Sequence, residues 1–284
     1  KNIKQKLDEY LSLYTVKGTI LLANEGINAA ISAQKKDLDN IIKFIRYLLK
    51  IRKINLKINS CEYLPFNKMK VRLKKEIVSL GKGEININTT ASKYANPLEW
   101  NKIISKNGVN IIDVRNDFEI DIGKFQNAYN LKTKSFREFP NKFKKLNLSK
   151  HRKIAMYCTG GIRCEKASSY LKSNGYKDVV QLEGGIINYL DFTKKSKIKN
   201  LWNGECFVFD NRVAVNKYLT EGRYKQCYGC RRPITQEDIK SFKYKKGVTC
   251  PYCFNERTTK QKNNSLMRQK QIESKKISIS KNTE

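Results

Sequence analysis

Apolar positions along the first fifty residues follow two different periods. Ile3, Leu7, Tyr10, Leu11 and Leu13 suit one face of a helix from Lys1 to about Leu13. VKGTILLANEG then reads as a strand running into a turn, and GINAAIS, Gly26 to Ser32, alternates as its hairpin partner. DLDNIIKFIRYLLK, Asp37 to Lys50, is an amphipathic helix opened by an Asp cap, and a further strand is expected near Ile54 to Ile58. The order helix, strand, strand, helix, strand is that of a ferredoxin-like α+β module without its first strand. Such a sheet would leave an unpaired strand next to the core, so the natural protein is expected to have residues before Lys1.

In KMKVRLKKEIVSLG, Lys68 to Gly81, the cations Lys70, Arg72 and Lys74 alternate along an expected strand and share one face. Two readings fit them: contacts to RNA phosphates, or a solvated edge strand guarded by lysines. Gly81 to Trp100, with its glycines, small polar residues and a proline, reads as a linker. Beyond Trp100 the pattern becomes α/β. NIIDVR (Asn110 to Arg115), KIAMYC (Lys153 to Cys158) and DVVQLEGG (Asp178 to Gly185) are buried strands, and EKASSYLKSNGY is a helix stopped by Gly175. Strands alternating with helices imply a parallel sheet with functional loops at the strand ends, and Cys158 sits at such an end.

Charge adds a partner class. The chain carries 58 Lys plus Arg against 26 Asp plus Glu, a formal charge of +32, which attracts polyanions such as RNA. Lys, Asn and Ile are abundant throughout, so part of that excess also fits a general compositional bias. With no apolar run of about 18 residues and no start resembling a signal peptide, a soluble cytoplasmic protein with no membrane partner is expected. Eight cysteines in such a chain point to thiol chemistry and metal sites more than to disulfides. Cys158 and Cys164 share one loop, four others form two CxxC pairs, and Cys61 and Cys206 are expected to be buried small hydrophobes.

The loop CTGGIR, Cys158 to Arg163, offers three ways to stabilise a thiolate. Backbone amides of Thr159, Gly160, Gly161, Ile162 and Arg163 can curl around the sulfur, the next helix presents its positive end, and Arg163 adds a charge. Gly160 and Gly161 permit the curl, and a side chain at either is expected to compete for the space of the anionic sulfur. The plain alternative is a buried cysteine followed by a glycine turn. Asp113, Arg115 and Glu119 read as loop-positioning ion pairs, with a catalytic part for Arg115 as the lesser alternative.

MYCTGGIRCEKAS (Met156 to Ser168), LLANEGINAAIS (Leu21 to Ser32) and KMKVR (Lys68 to Arg72), in that set of places and joined by FVFDNRV (Phe207 to Val213), closely resemble the oxygen-dependent, rhodanese-domain tRNA uridine(34) hydroxylases over about residues 1 to 215. The resemblance implies conversion of wobble uridine to 5-hydroxyuridine with molecular oxygen as co-substrate, on a tRNA anticodon stem-loop with no DNA substrate. By position it makes Cys158 the essential cysteine and Cys164 the second thiol of the motif, with Arg163 beside them. Cys164 then either takes part in a disulfide or persulfide relay or is inert. Where rhodaneses commonly carry a Gly-His pair, Gly123 is followed by Lys124, and the sole histidine, His151, is expected on the surface. The electron donor is not legible: no GxGxxG follows a strand and no His-carboxylate triad is present.

Cys227, Cys230, Cys250 and Cys253, spaced C-x2-C, nineteen residues, C-x2-C, suit a tetrahedral structural zinc site. The tail from Arg257 is either a basic helix that grips RNA or a disordered solubilising segment. The expected organisation is a ferredoxin-like, RNA-binding α+β domain at 1–90, a rhodanese-like α/β catalytic domain at 91–205, and a four-cysteine module with basic tail at 206–284. Three functions compete: a tRNA hydroxylase, a sulfurtransferase passing persulfide sulfur to RNA or a small acceptor, and a non-catalytic RNA-binding protein.

Overall fold

The computed structural model describes residues 2–52, 54–81 and 92–281, with 275–281 as backbone alone. In the N-terminal part, α1 (Asn2–Leu11) leads into the antiparallel hairpin β1 (Lys17–Ala23) and β2 (Gly26–Ser32), followed by α2 (Lys35–Leu49) and β3 (Met69–Leu73). The sheet order is β2-β1-β3, with β3 parallel to β1. One face of the sheet and the apolar stripes of both helices close over Leu7, Leu11, Ile20, Leu22, Ile41, Ile45 and Val71. Lys70 and Arg72 flank the inward Val71 and are exposed on the opposite face of β3, while Lys74 is exposed just beyond its end.

Three local expectations are corrected here. Ile54 to Ile58 is not a strand: the place beside β1 is taken by β3, and of this stretch only Ile54 packs on the core while Leu56 and Ile58 are exposed. Asp37 does not cap α2; Gln34 is the capping position and makes no side-chain cap bond, so Asp37 instead lies in the first turn, where its charge favours the helix dipole. Cys61 is exposed, because it belongs to the same unpaired stretch, whereas Cys206 is fully buried.

The central part is an α/β layer built on five parallel strands in the order β4-β9-β8-β5-β7. These are β4 (Lys93–Ala95), β5 (Asn110–Asp113), β7 (Tyr129–Asn130), β8 (Ile154–Tyr157) and β9 (Val179–Leu182), with β6 (Gly123–Phe125) pairing separately with β10 (Trp202–Gly204). The helices are α3 (Pro97–Ile104), α4 (Asp117–Ile120), α5 (Phe139–Lys144), α6 (Ile162–Ser173) and α7 (Gly185–Lys195). The expected linker lies partly on 82–91, outside the described residues. Its end is structured: β4 is an edge of the sheet, and Asn96 opens α3 with a capping box to Glu99.

Every residue of β5, β8 and β9 is buried, as in a parallel sheet covered on both faces. Ile154, Met156 and Cys158 point to a core with Phe139, Phe143, Ala167 and Leu171. Tyr157 faces the other way, edge-on to Phe125 at 4.9 Å between ring centroids, with Trp100, Tyr189 and Trp202 around that ring. Cys158 thus leaves the carboxyl end of a central strand held rigid from both sides.

Phe207–Asn216 and Glu221–Glu284 form a second compact unit. In it Lys225–Gln226 pairs with Pro233–Ile234, α8 (Gln236–Lys240) starts at the Thr235–Asp238 capping box, and α9 (Thr259–Lys281) is a long helix. The tail therefore takes the helical alternative over that range. No helix among the described residues is long and apolar enough to cross a membrane.

Candidate active site

The loop after β8 is anchored from two directions. Gly161, with φ +94°, is the N-cap of α6, a backbone state that glycine adopts without the Cβ penalty. The start of α7 donates its free amides into the loop, Ile186 N–H to Cys158 O at 3.0 Å and Ile187 N–H to Thr159 O at 3.1 Å. Gly185 makes that approach feasible: a Cβ there would lie 2.5 Å from Cys158 O and 2.7 Å from Gly161 N. The expected crowding of the sulfur at Gly160 and Gly161 is corrected. A Cβ would meet Lys57 Nζ at 3.9 Å and Gly184 at 3.8 Å respectively, so Gly161 is required for its φ and not for space around the sulfur.

Cys158 is fully buried, and its sulfur accepts the Gly161 N–H at 3.1 Å. Burial alone opposes ionisation, but the Cys164 thiol donates to the sulfur, Arg163 supplies positive charge, and the Cys164 and Arg163 amides at the start of α6 add to both. Together they bring the Cys158 pKa down to about 5. Burial and its role as donor to an anion keep the Cys164 thiol well above the ordinary range, so the pair holds one proton and Cys164 carries it.

Arg163 does not act as a free charge. Its guanidinium forms a fork with Glu119, Nη1 to Oε1 at 2.6 Å and Nη2 to Oε2 at 2.8 Å, and also reaches Thr159 Oγ1 at 3.2 Å. Burial works against the Glu119 carboxylate, yet Arg163, with help from Arg115, holds its pKa below the usual range. Glu119→Gln is expected to destabilise the fold by about 3–5 kcal/mol, because it leaves a buried guanidinium without its carboxylate. Urea unfolding measures this, and a loss below about 1 kcal/mol would contradict the assignment.

Asp113 and Arg115 are both fully buried and pair bidentately, Nε to Oδ1 at 2.9 Å and Nη2 to Oδ2 at 2.6 Å. Arg115 also donates to Glu119 O and Gly123 O, and its guanidinium lies 5.0 Å from the Trp202 ring. A catalytic part for Arg115 is corrected on this geometry: every side of it is occupied by protein. It braces the β5–β6 turn, and Glu119, which pairs with Arg163, passes that support to the cysteine loop. His151 is exposed, as expected. Cys206 is set apart from the chemistry by burial, which pushes its thiol up to about 12.

One residue beside the loop was missed by sequence reasoning. Lys57 Nζ donates to Gly160 O from the unpaired stretch between α2 and β3. Its only local signal is a cation between two apolar residues, which reads as the outward position of a strand.

Elsewhere, Cys227, Cys230, Cys250 and Cys253 bring their sulfurs within 4.8 Å of one another. Separations of 4.0 Å (Cys227–Cys253), 3.8 Å (Cys230–Cys250) and 3.7 Å (Cys250–Cys253) match the edges, about 3.8 Å, of a tetrahedron with 2.3 Å zinc–sulfur bonds. Four thiolates in this arrangement fit zinc, with no place left for a catalytic water.

Two family models match parts of the chain. The family model described as "UPF0176 acylphosphatase like domain" matches residues 1–77, and the model described as "Rhodanese-like domain" matches residues 91–191. The chain is similar to a rhodanese-like domain protein of Staphylococcus aureus, 30% identical, with 34% of this chain and 90% of that one covered and a TM-score of 0.29. It is also similar to a rhodanese-related protein of Thermoplasma volcanium, 24% identical, covering 35% and 92%, at a TM-score of 0.28. The two family models in this order fit the UPF0176 family, and the rhodanese-like domain with its cysteine loop indicates a Cys-dependent enzyme.

Proposed function

We propose that this chain, which belongs to the rhodanese-like proteins and carries a UPF0176 N-terminal domain, hydroxylates the wobble uridine of tRNA at C5, using molecular oxygen and Cys158. The observation that carries this reading is a buried Cys158 thiolate, hydrogen-bonded by a second loop cysteine, in a chain whose N-terminal domain exposes Lys70, Arg72 and Lys74. A sulfurtransferase acting on a small acceptor needs neither the basic domain nor a charge of +32.

In this reading the cations hold phosphates of the anticodon stem-loop, and uridine 34, in a single-stranded loop, is splayed toward Cys158. The thiolate adds to C6 of uracil: a carbon–sulfur bond forms, the C5–C6 π pair moves into the C4 carbonyl as an enolate, and C5 becomes electron-rich. Transfer of one oxygen atom to C5 and reduction of the other to water consume two electrons and two protons from a donor outside the chain. Loss of the C5 proton and departure of the Cys158 sulfur restore the aromatic ring and the thiolate. The four-cysteine module would hold zinc as a structural ion, taking no part in these steps.

The same thiolate also suits a second reading, transfer of persulfide sulfur to RNA. Mass spectrometry of tRNA nucleosides from a deletion strain separates the two. Loss of 5-hydroxyuridine-derived wobble bases is expected, and loss of thiolated bases with 5-hydroxyuridine intact would replace hydroxylation by sulfur transfer.

A further inference from the structure

We propose that Lys57, contributed by the N-terminal domain, is a positioning residue for Cys158. The geometry rests on one peptide group. Lys57 Nζ donates to Gly160 O, and the N–H of that same Gly160–Gly161 peptide donates to Cys158 Sγ at 3.1 Å. Because the group is planar, an ammonium pinning its oxygen also fixes where its N–H points. Charge on the oxygen side polarises the N–H, so the bond to sulfur strengthens cooperatively. Lys57 therefore acts on the sulfur through the loop and does not need to touch it.

The surroundings are built for this lysine. Gly160 leaves its own side open to Lys57 Nζ, and the Lys57 stem runs past Gly184, where a Cβ would come within 3.1 Å of Cε. Leu56, Ile58 and Asn59 line a small cavity beside it with Ile187, Asn188 and Asp191 of α7. Charged and titratable groups face the Lys57–Cys158 pair from α6, α4 and α7. Arg163 and Cys164 face Cys158 from α6, with Glu119 of α4 behind Arg163. Glu165 of α6 and Cys158 face Lys57, and Asp191 of α7 lines the adjoining cavity. Partial burial lowers the Lys57 pKa, while Cys158, Glu165 and Cys164 act in the opposite sense.

A second tie crosses the same seam without touching the loop peptide. Lys166 on α6, itself buried, bridges Glu25 at 2.9 Å and Glu76 at 2.8 Å. It serves as the control for domain docking. The inference is independent of the reaction proposed above, since its readout is the acidity of Cys158 and not any product.

The experiment is the pH profile of iodoacetamide alkylation in the full chain, read at the Cys158 peptide by mass spectrometry, with melting curves to establish folding. Lys57→Met keeps the stem and removes the charge, and is expected to raise the Cys158 midpoint by about one pH unit. Lys57→Arg should restore most of the shift, and Glu76→Gln, which weakens the seam with Lys57 in place, should leave the midpoint near that of the unaltered chain. Should Lys57→Met fail to fold, Lys57→Gln takes its place in the comparison. An unchanged midpoint on loss of the Lys57 charge, no rescue by Arg, or an equal shift in Glu76→Gln would each overturn the proposal.

Discussion

Cys158→Ser is expected to lower turnover by about 10³-fold or more in a chain that still folds, with a melting temperature lowered only by the loss of the thiolate's own contribution. A thiol with a pKa of about 5 is almost wholly ionised at neutral pH, whereas a serine hydroxyl in the same cradle stays protonated. The replacement is nearly isosteric, so the core around Phe139 and Phe143 keeps its packing. For the unaltered chain, alkylation of Cys158 should rise through a midpoint near 5 and then plateau, not near the 8.5 of a free cysteine. The sign for stability follows from the same depression. The thiolate contributes above the unfolded cysteine pKa, and the contribution is lost as pH falls through about 5. Two changes at Cys164 then divide its roles. Serine keeps a donor to the Cys158 sulfur but cannot form a sulfur–sulfur bond, and alanine removes both. Activity retained in Cys164→Ser, with a raised midpoint in Cys164→Ala, identifies a donor. Activity lost in Cys164→Ser at an unchanged midpoint identifies a relay. Normal turnover by Cys158→Ser would remove the cysteine from the chemistry altogether.

Stripping metal from the four-cysteine module is expected to unfold it. The apolar cluster there is Cys227, Cys250, Cys253 and Ile234, with Cys230, Ile239 and Tyr244 packed against it, too small a core to offset the chain entropy of ordering the knuckles. Structural zinc in comparable peptides contributes about 10–16 kcal/mol at neutral pH, far more than this cluster's apolar burial. Freshly purified protein should contain about one zinc per chain. A strong chelator, or Cys250→Ser, should open residues 227–253 to limited proteolysis. Metal-free protein that resists proteases across that range would show that the cysteines pack as ordinary thiols.

Several elements were legible because their signal is local. The four-cysteine spacing needs only two knuckles to converge, and the sulfurs do meet. The strands ending at Asp113, Tyr157 and Leu182 are short apolar runs that a sheet covered on both faces must bury. Ile54 to Ile58 failed for the opposite reason. Strand formation depends on which neighbour is available, and β3 (Met69–Leu73), further along the chain, takes the edge beside β1.

The cysteine loop shows the same division more finely. Local sequence determined that Cys158 ends a central strand, that glycine follows it, and that a helix start and an arginine lie next to the sulfur. Those are near-neighbour facts, carried by a few consecutive residues. Tertiary structure alone decided that Glu119 pairs with Arg163 while Asp113 pairs with Arg115, that Gly185 admits α7 to the loop carbonyls, and that Lys57 reaches Gly160 from another domain. The physical reason is separation along the chain: a charge a hundred residues away leaves no periodicity or spacing at the site it serves, and only packing in three dimensions brings it within a hydrogen bond.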